Sequence, residues 1–235
     1  MPATNHAAAF RFGCRAGNAH AMTRFTILLG GELFRTSRLD RQVADSRIIA
    51  ADAGIRHATT LGLTPELWLG DFDSVPSDLD PRFAGLPRET FPAEKDRTDG
   101  ELAIDAALKL GATSLVLVGA FGGARADHAF LHFALALRLA EGGMDVLLTS
   151  GRQEALPLLP GTASFDYEDG MLFSVLAFSE LTGLSEQGAK WPLDNVDVPF
   201  GSSLTLSNEV RGSLRISLGS GRALLLAHPF PASDF

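Results

Sequence analysis

The chain has one cysteine, Cys14, in 235 residues. A single thiol excludes an internal disulfide and fits a reducing compartment, so the expected location is cytoplasmic. No apolar run approaches the ~20 residues that a bilayer-spanning helix needs. Basic residues are scarce as well: 20 Lys and Arg against 28 Asp and Glu give a formal charge of −8. That balance argues against the basic stripe of a nucleic-acid binder. It leaves nucleotide binding open, because metal ions can screen phosphates. Residues 1–22 contain Arg11 and Arg15 and no acid, but their apolar stretch is too short and broken for a secretory signal. Residues 1–23 are therefore read as a disordered extension, with Met22 as a working start.

What is present has the composition of a soluble globular protein, 46% hydrophobic and 20% charged, with enough length for one large domain or two modest ones. Residues 24–150 alternate short apolar runs with helical periodicity. Strands are expected at 25–29, 47–51, 67–69, 115–118 and 145–149, and helices at 37–44, 55–61, 98–110 and 127–140. Gly62, Gly111 and Gly142-Gly143 supply helix stops. Such alternation predicts an α/β, Rossmann-like, mostly parallel sheet covered on both faces. Beyond Gly151 the rhythm changes to short runs at 172–178, 203–207, 213–218 and 223–226, broken by Gly, Pro, Asn and Ser. Residues 151–235 are therefore expected to form a small antiparallel β-sandwich.

Two pairs of aspartates carry the chemical signal. Gly70-Asp71-Phe72-Asp73-Ser74 follows an apolar run, and Lys95-Asp96-Arg97-Thr98-Asp99 opens a helix. Strand alternation would point Asp71 and Asp73 to one side. Thr98 and Glu101 fit a capping box, which puts Asp99 in the first helical turn. Hard oxygen donors at sheet and helix ends suit Mg²⁺ held together with substrate phosphates. A Gly119-Ala120-Phe121-Gly122-Gly123 loop lies between strand and helix, with Arg125, Asp127 and His128 beyond it. Its glycines allow close approach of a phosphate, and Arg125 offers a guanidinium fork. The loop is neither G-x-G-x-x-G nor a Walker loop. His128 and His132 stand four apart but lack a visible third ligand for zinc. Further on, Trp191 sits between Lys190 and Pro192, placed to stack on a flat ring, and Ser207-Asn208 offers donors and acceptors for a heterocycle's edge.

Taken in order, Ala51-Asp52-x-Gly54, the two aspartate motifs, the Gly-rich loop with Arg125-x-Asp127-His128, Gly188–Leu193 and Ser207-Asn208-Glu209 resemble the thiamine pyrophosphokinase family across residues 25–228. The resemblance implies an α/β catalytic domain, a C-terminal β-sandwich, and a homodimer with thiamine bound between subunits. It also implies pyrophosphoryl transfer from ATP to thiamine, releasing AMP. On that alignment Asp71, Asp73 and Asp99 hold Mg²⁺, with Asp96 beside them. Asp52, Lys95, Gly119, Gly122, Gly123, Arg125, Asp127 and His128 meet ATP, and Lys95 and Arg125 neutralise phosphate charge. Asp71 or Asp73 takes the hydroxyl proton. Trp191, Ser207 and Asn208 bind thiamine. Three positions depart from the pattern: Ala53 replaces a glycine, Ala124 lengthens the Gly-Gly-Arg segment, and Ser150 replaces an acid. Two other readings remain open: a pyrophosphokinase for another heterocyclic alcohol of hydroxymethylpterin type, and an inactive thiamine or nucleotide sensor. The first would differ in the C-terminal half, and the second would have no need of the aspartates.

Overall fold

The structure, a computed structural model, describes residues 23–72, 79–92, 94, 96–123 and 125–229. The expected extension at 1–22 therefore lies outside the described residues, as do Asp73, Lys95 and Ala124. Strands β1 (Arg24–Leu28), β2 (Arg47–Ala51), β3 (Leu67–Gly70), β4 (Arg88–Thr90), β5 (Ser114–Val118) and β6 (Asp145–Thr149) run parallel in the order β4-β3-β2-β1-β5-β6. The connections run outward from β1 to β4, and the chain then returns to the other side of β1.

Side-chain alternation explains how both faces are covered. Phe25, Ile27, Ile49, Leu115 and Leu117 point to one face and pack with α3 (Asp99–Lys109) and α4 (Ala126–Glu141). Leu28, Ile48, Ala50, Val116 and Val118 point to the other, with α1 (Ser37–Val43) and α2 (Ile55–Leu61). A sheet buried on both faces has to read as near-continuous apolar runs, which is how these strands read. Trp68 is the largest fully buried side chain of this half.

At Gly151 the direction changes. β7 (Glu154–Leu158) pairs antiparallel with β6, and β13 (Ala223–His228) and β9 (Leu172–Ala177) continue the same sheet. A second sheet holds β11 (Leu193–Val198), β10 (Leu181–Ala189), β12 (Asn208–Leu218) and β8 (Gly161–Phe165). Phe173, Val175 and Leu225 from the first share one apolar core with Leu184, Leu214 and Ile216 from the second. The sheet is thus mixed, parallel first and antiparallel afterwards, and hydrogen-bonded across the change.

One expected strand is absent. Residues 203–207 form a turn, in which the Leu206 N–H donates to Ser203 O at 3.1 Å and Ser207 has φ 60°. The Thr205 hydroxyl donates to Val175 O at 2.6 Å, so the polar side chains here bond backbone instead of alternating across a ladder. Among the described residues no helix is long and apolar enough to cross a membrane.

Candidate active site

The carboxyl ends of the parallel strands gather the loops that the sequence singled out. β2 runs into Asp52-Ala53-Gly54, where Asp52 adopts φ 44° and its carbonyl accepts the Trp68 indole N–H at 2.9 Å. A Cβ on Gly54 would stand 2.1 Å from Leu28 O, so only glycine fits. A Cβ on Gly70 would lie 3.4 Å from Asp52 Oδ1, which places that carboxylate against the end of β3, where Asp71 follows. Phe72 then turns the chain with φ 61°, its ring edge-on to Trp68 at 4.9 Å. Strand alternation therefore ends at Gly70, before Asp71, and the expected common direction of Asp71 and Asp73 involves a residue outside the described ones.

Asp99 opens α3 as expected. Thr98 Oγ1 accepts from the Glu101 N–H at 3.2 Å, and Glu101 Oε2 accepts from the Thr98 N–H at 3.4 Å, completing the capping box. Asp96 is exposed, and Arg97 turns away to Asp105 at 2.5 Å. Among the described residues no three His, Cys, Asp or Glu side chains form a metal-ligand group. The expected set of Asp71, Asp73 and Asp99 includes a residue outside them. The His128–His132 pair gains no third ligand there either: His132 is buried with Nδ1 3.1 Å from Ala120 O, while His128 is exposed.

The Gly-rich loop after β5 is locked against the loop after β1. Gly119, Gly122 and Gly123 have φ of 74°, 64° and 84°. The Gly31 N–H donates to Gly119 O at 2.9 Å and the Glu32 N–H to Phe121 O at 2.8 Å. A Cβ on Gly31 would meet both carbonyls at 2.3 Å. His57 braces this contact from α2, with Nε2 donating to Gly31 O at 3.0 Å, and Arg56 Nη2 donates to Gly30 O. Burial drives the His57 imidazole down to about 4, so it stays neutral at ordinary pH. Sequence reasoning missed this role, because nothing local distinguishes His57 from a packing histidine. At the start of α4, Arg125 forks onto Asp127 at 3.0 and 2.6 Å; this holds the Asp127 carboxyl at about 2 and raises the guanidinium. Both side chains are exposed. Ser150, the third departure, closes a turn by accepting the Gln153 N–H at 3.3 Å.

In the antiparallel half Trp191 is 57% exposed, as a stacking surface requires. Lys190 Nζ lies 4.7 Å from its ring centroid and 3.0 Å from Glu209 Oε2; Glu209 also binds Arg211. Asn208, expected as a direct contact, is buried with all four hydrogen-bond positions filled. Its Oδ1 accepts the Trp191 N–H at 3.1 Å and the Glu209 N–H at 2.9 Å; its Nδ2 donates to Trp191 O and Glu186 Oε2, each at 2.9 Å. Those bonds make it the support of the Trp191 loop. The Ser207 N–H donates to Ser174 Oγ at 2.9 Å. Burial pushes the Glu186 carboxyl up to about 7, against the pull of the Asn208 bond. Glu186 was not anticipated from sequence.

Comparison with known proteins agrees with this layout. Residues 41–148 match the family described as thiamin pyrophosphokinase, catalytic domain, and residues 164–222 match thiamin pyrophosphokinase, vitamin B1 binding domain. A curated thiamine pyrophosphokinase of Bacillus subtilis is 30% identical over 178 residues, 73% of this chain and 83% of that protein. The chain belongs to the thiamine pyrophosphokinase family. A crystal structure of thiamine pyrophosphokinase from Bacillus subtilis superposes with TM-score 0.76 at 25% identity, covering 88% of this chain and 99% of that one. The thiamin pyrophosphokinase of Geobacillus thermodenitrificans gives 0.73 at 28% identity, covering 90% and 99%. That of Candida albicans, 13% identical with TM-score 0.71 over 87% and 90%, shares the fold.

Proposed function

We infer that the chain works as a thiamine pyrophosphokinase, with phosphate chemistry at the carboxyl edge of the parallel strands and thiamine recognition at Trp191. The thiamine hydroxyl oxygen bonds to the β-phosphorus of ATP, the β-phosphorus–oxygen bond to the α-phosphate breaks, and AMP leaves. The hydroxyl proton passes to a carboxylate, Asp71 or Asp73. The parallel half is read as Rossmann-like, since ligands of such sheets sit where the strand order reverses, here between β1 and β5.

The donor set fits a hard dication. Asp52 lies against Gly70 at the end of β3, where Asp71 follows, and Asp99 stands in the first turn of α3, where the helix dipole favours negatively charged oxygen donors. Asp71, Asp73 and Asp99 would hold Mg²⁺, with Asp96 beside them. Bound there, the ion would supply charge stabilisation to the phosphate oxygens. The residues do the rest. Gly119, Gly122 and Gly123 give the β5 loop backbone without side chains at three positions, Lys95 and Arg125 offset phosphate charge, and Asp52, Asp127 and His128 line the ATP side. To reach phosphate, Arg125 exchanges its fork on exposed Asp127 for the ligand.

Exposed Phe200, Leu204 and Leu206 accompany Trp191 in the antiparallel half, and a second copy of the chain would cover them in a homodimer. The match of residues 164–222 to a vitamin B1 binding domain favours thiamine over a pterin alcohol. Incubation with ATP, Mg²⁺ and thiamine should release AMP and thiamine diphosphate in equal amounts. ADP with thiamine monophosphate, or AMP formed without thiamine, would contradict the reading.

A further inference from the structure

Glu186 is a carboxylate where a β-sandwich has no packing use for one. It lies on β10 two residues from Leu184, so it shares that residue's core-facing side of the sheet, and its relative exposure is 0%. Among the described residues Oε1 has no hydrogen-bond partner, and Oε2 takes the Asn208 Nδ2 proton. An apolar residue would fill the position without the cost of desolvating a carboxylate. What the carboxylate adds is an acceptor at one defined point.

That point lies behind the Asn208 amide. Asn208 grips the Trp191 backbone at both its N–H and its C=O. The grip works only with Oδ1 toward the two N–H groups and Nδ2 toward the carbonyl. Glu186 occupies the second Nδ2 proton, which would otherwise be buried and unpaired. Between Glu186 and Trp191 the strand breaks register at Gly188, φ 71°, where a Cβ would lie 2.2 Å from Ser213 O. After this bulge the ladder resumes with Ala189 opposite Val210 and the Lys190 N–H donating to Glu209 O at 2.8 Å, and at Trp191 the Asn208 side chain takes over from backbone pairing.

We propose that Glu186 is a positioning residue for thiamine binding, fixing the Asn208 amide and through it the Trp191 indole; this rests on the reading of Trp191 as the thiamine shelf. Removing the acceptor loosens the shelf while leaving the phosphate site untouched. The effect therefore falls on the thiamine KM and not on kcat or the ATP KM.

The test compares E186L, E186Q and W191A in steady-state assays, with acrylamide quenching of tryptophan fluorescence in the absence of substrates. The chain has two tryptophans, and buried Trp68 is silent to the quencher, so quenching reports Trp191. E186L should raise the thiamine KM about ten-fold and change the quenching, with kcat and the ATP KM within about two-fold. E186Q, which keeps an acceptor, should restore both readouts. N208D, which also strips Trp191 O of its donor, should resemble E186L and carries the same test if E186L folds poorly. A wild-type thiamine KM and quenching in E186L, alongside a raised KM in W191A, would overturn the proposal and leave the shelf reading standing. An unchanged thiamine KM in W191A would overturn the shelf reading, and the proposal with it.

Discussion

The two halves of the molecule hold their working edges by opposite means. In the parallel half, loops lock backbone to backbone: Gly31 lies so close to Gly119 and Phe121 that a methyl group would meet their carbonyls at 2.3 Å, and neutral His57 ties down Gly31 O. In the antiparallel half the support is made of side chains, an asparagine amide, backed by a buried carboxylate, that grips the backbone of an exposed tryptophan. A site for phosphate gains from bare backbone, since glycine permits close approach. A flat heterocycle needs a large π-face, and a large face must be held by something other than itself. Under the proposed assignment of phosphate to one edge and thiamine to the other, the difference in architecture follows the difference in ligand.

The largest expected effect isolates the parallel half. Asp71→Asn keeps the volume but removes a charged donor, and should lower kcat by about 10³ with little change in Tm. Near-normal turnover at saturating ATP and Mg²⁺ would break the assignment of chemistry to this edge. Next comes the antiparallel half. Trp191→Ala should raise the thiamine KM about ten-fold through lost stacking and cation–π attraction, leaving the ATP KM unchanged, while Trp191→Phe recovers much of the loss. Equal damage to both substrates together with a sharp fall in Tm would make Trp191 a packing residue.

The smallest effect sharpens the contrast through pH. His57, held near 4 in the fold against an ordinary 6.5, binds its proton more readily when unfolded. Its contribution to stability is present above pH 6.5 and is lost as pH falls through 4. Glu186, raised from 4.5 to about 7, behaves in the opposite sense: its contribution is present below 4.5 and is lost as pH rises through 7. Melting curves should therefore show Glu186→Gln gaining about 3–6 °C over the unaltered chain at pH 8 and little at pH 5. His57→Gln should flatten the acid limb instead. Parallel curves for all three proteins would remove this part of the contrast.

The parallel half was far more legible in the sequence. Its strands are buried on both faces and read as apolar runs, and Gly62, Gly111 and the Thr98 capping box mark helix ends locally. β4 escaped notice because its three residues are all exposed. In the antiparallel half β10 is interrupted by Gly183 and Gly188 and carries Glu186 where alternation calls for an apolar residue, so no period emerges. Residues 203–207 carry the alternation of a strand, yet their hydroxyls turn the chain. Asn208 and Ser207 look alike as neighbours in sequence. Only burial shows that Asn208 is spent on Trp191, as only burial shows what His57 and Glu186 do.

Division of labour between the halves is the central claim, and thiamine binding measured by calorimetry in Asp71→Asn and Trp191→Ala tests it directly. Asp71→Asn should bind thiamine within about two-fold of the unaltered chain although it no longer turns over, while Trp191→Ala should bind about ten-fold more weakly. Normal thiamine affinity in Trp191→Ala, or an equal loss in Asp71→Asn, would contradict the account.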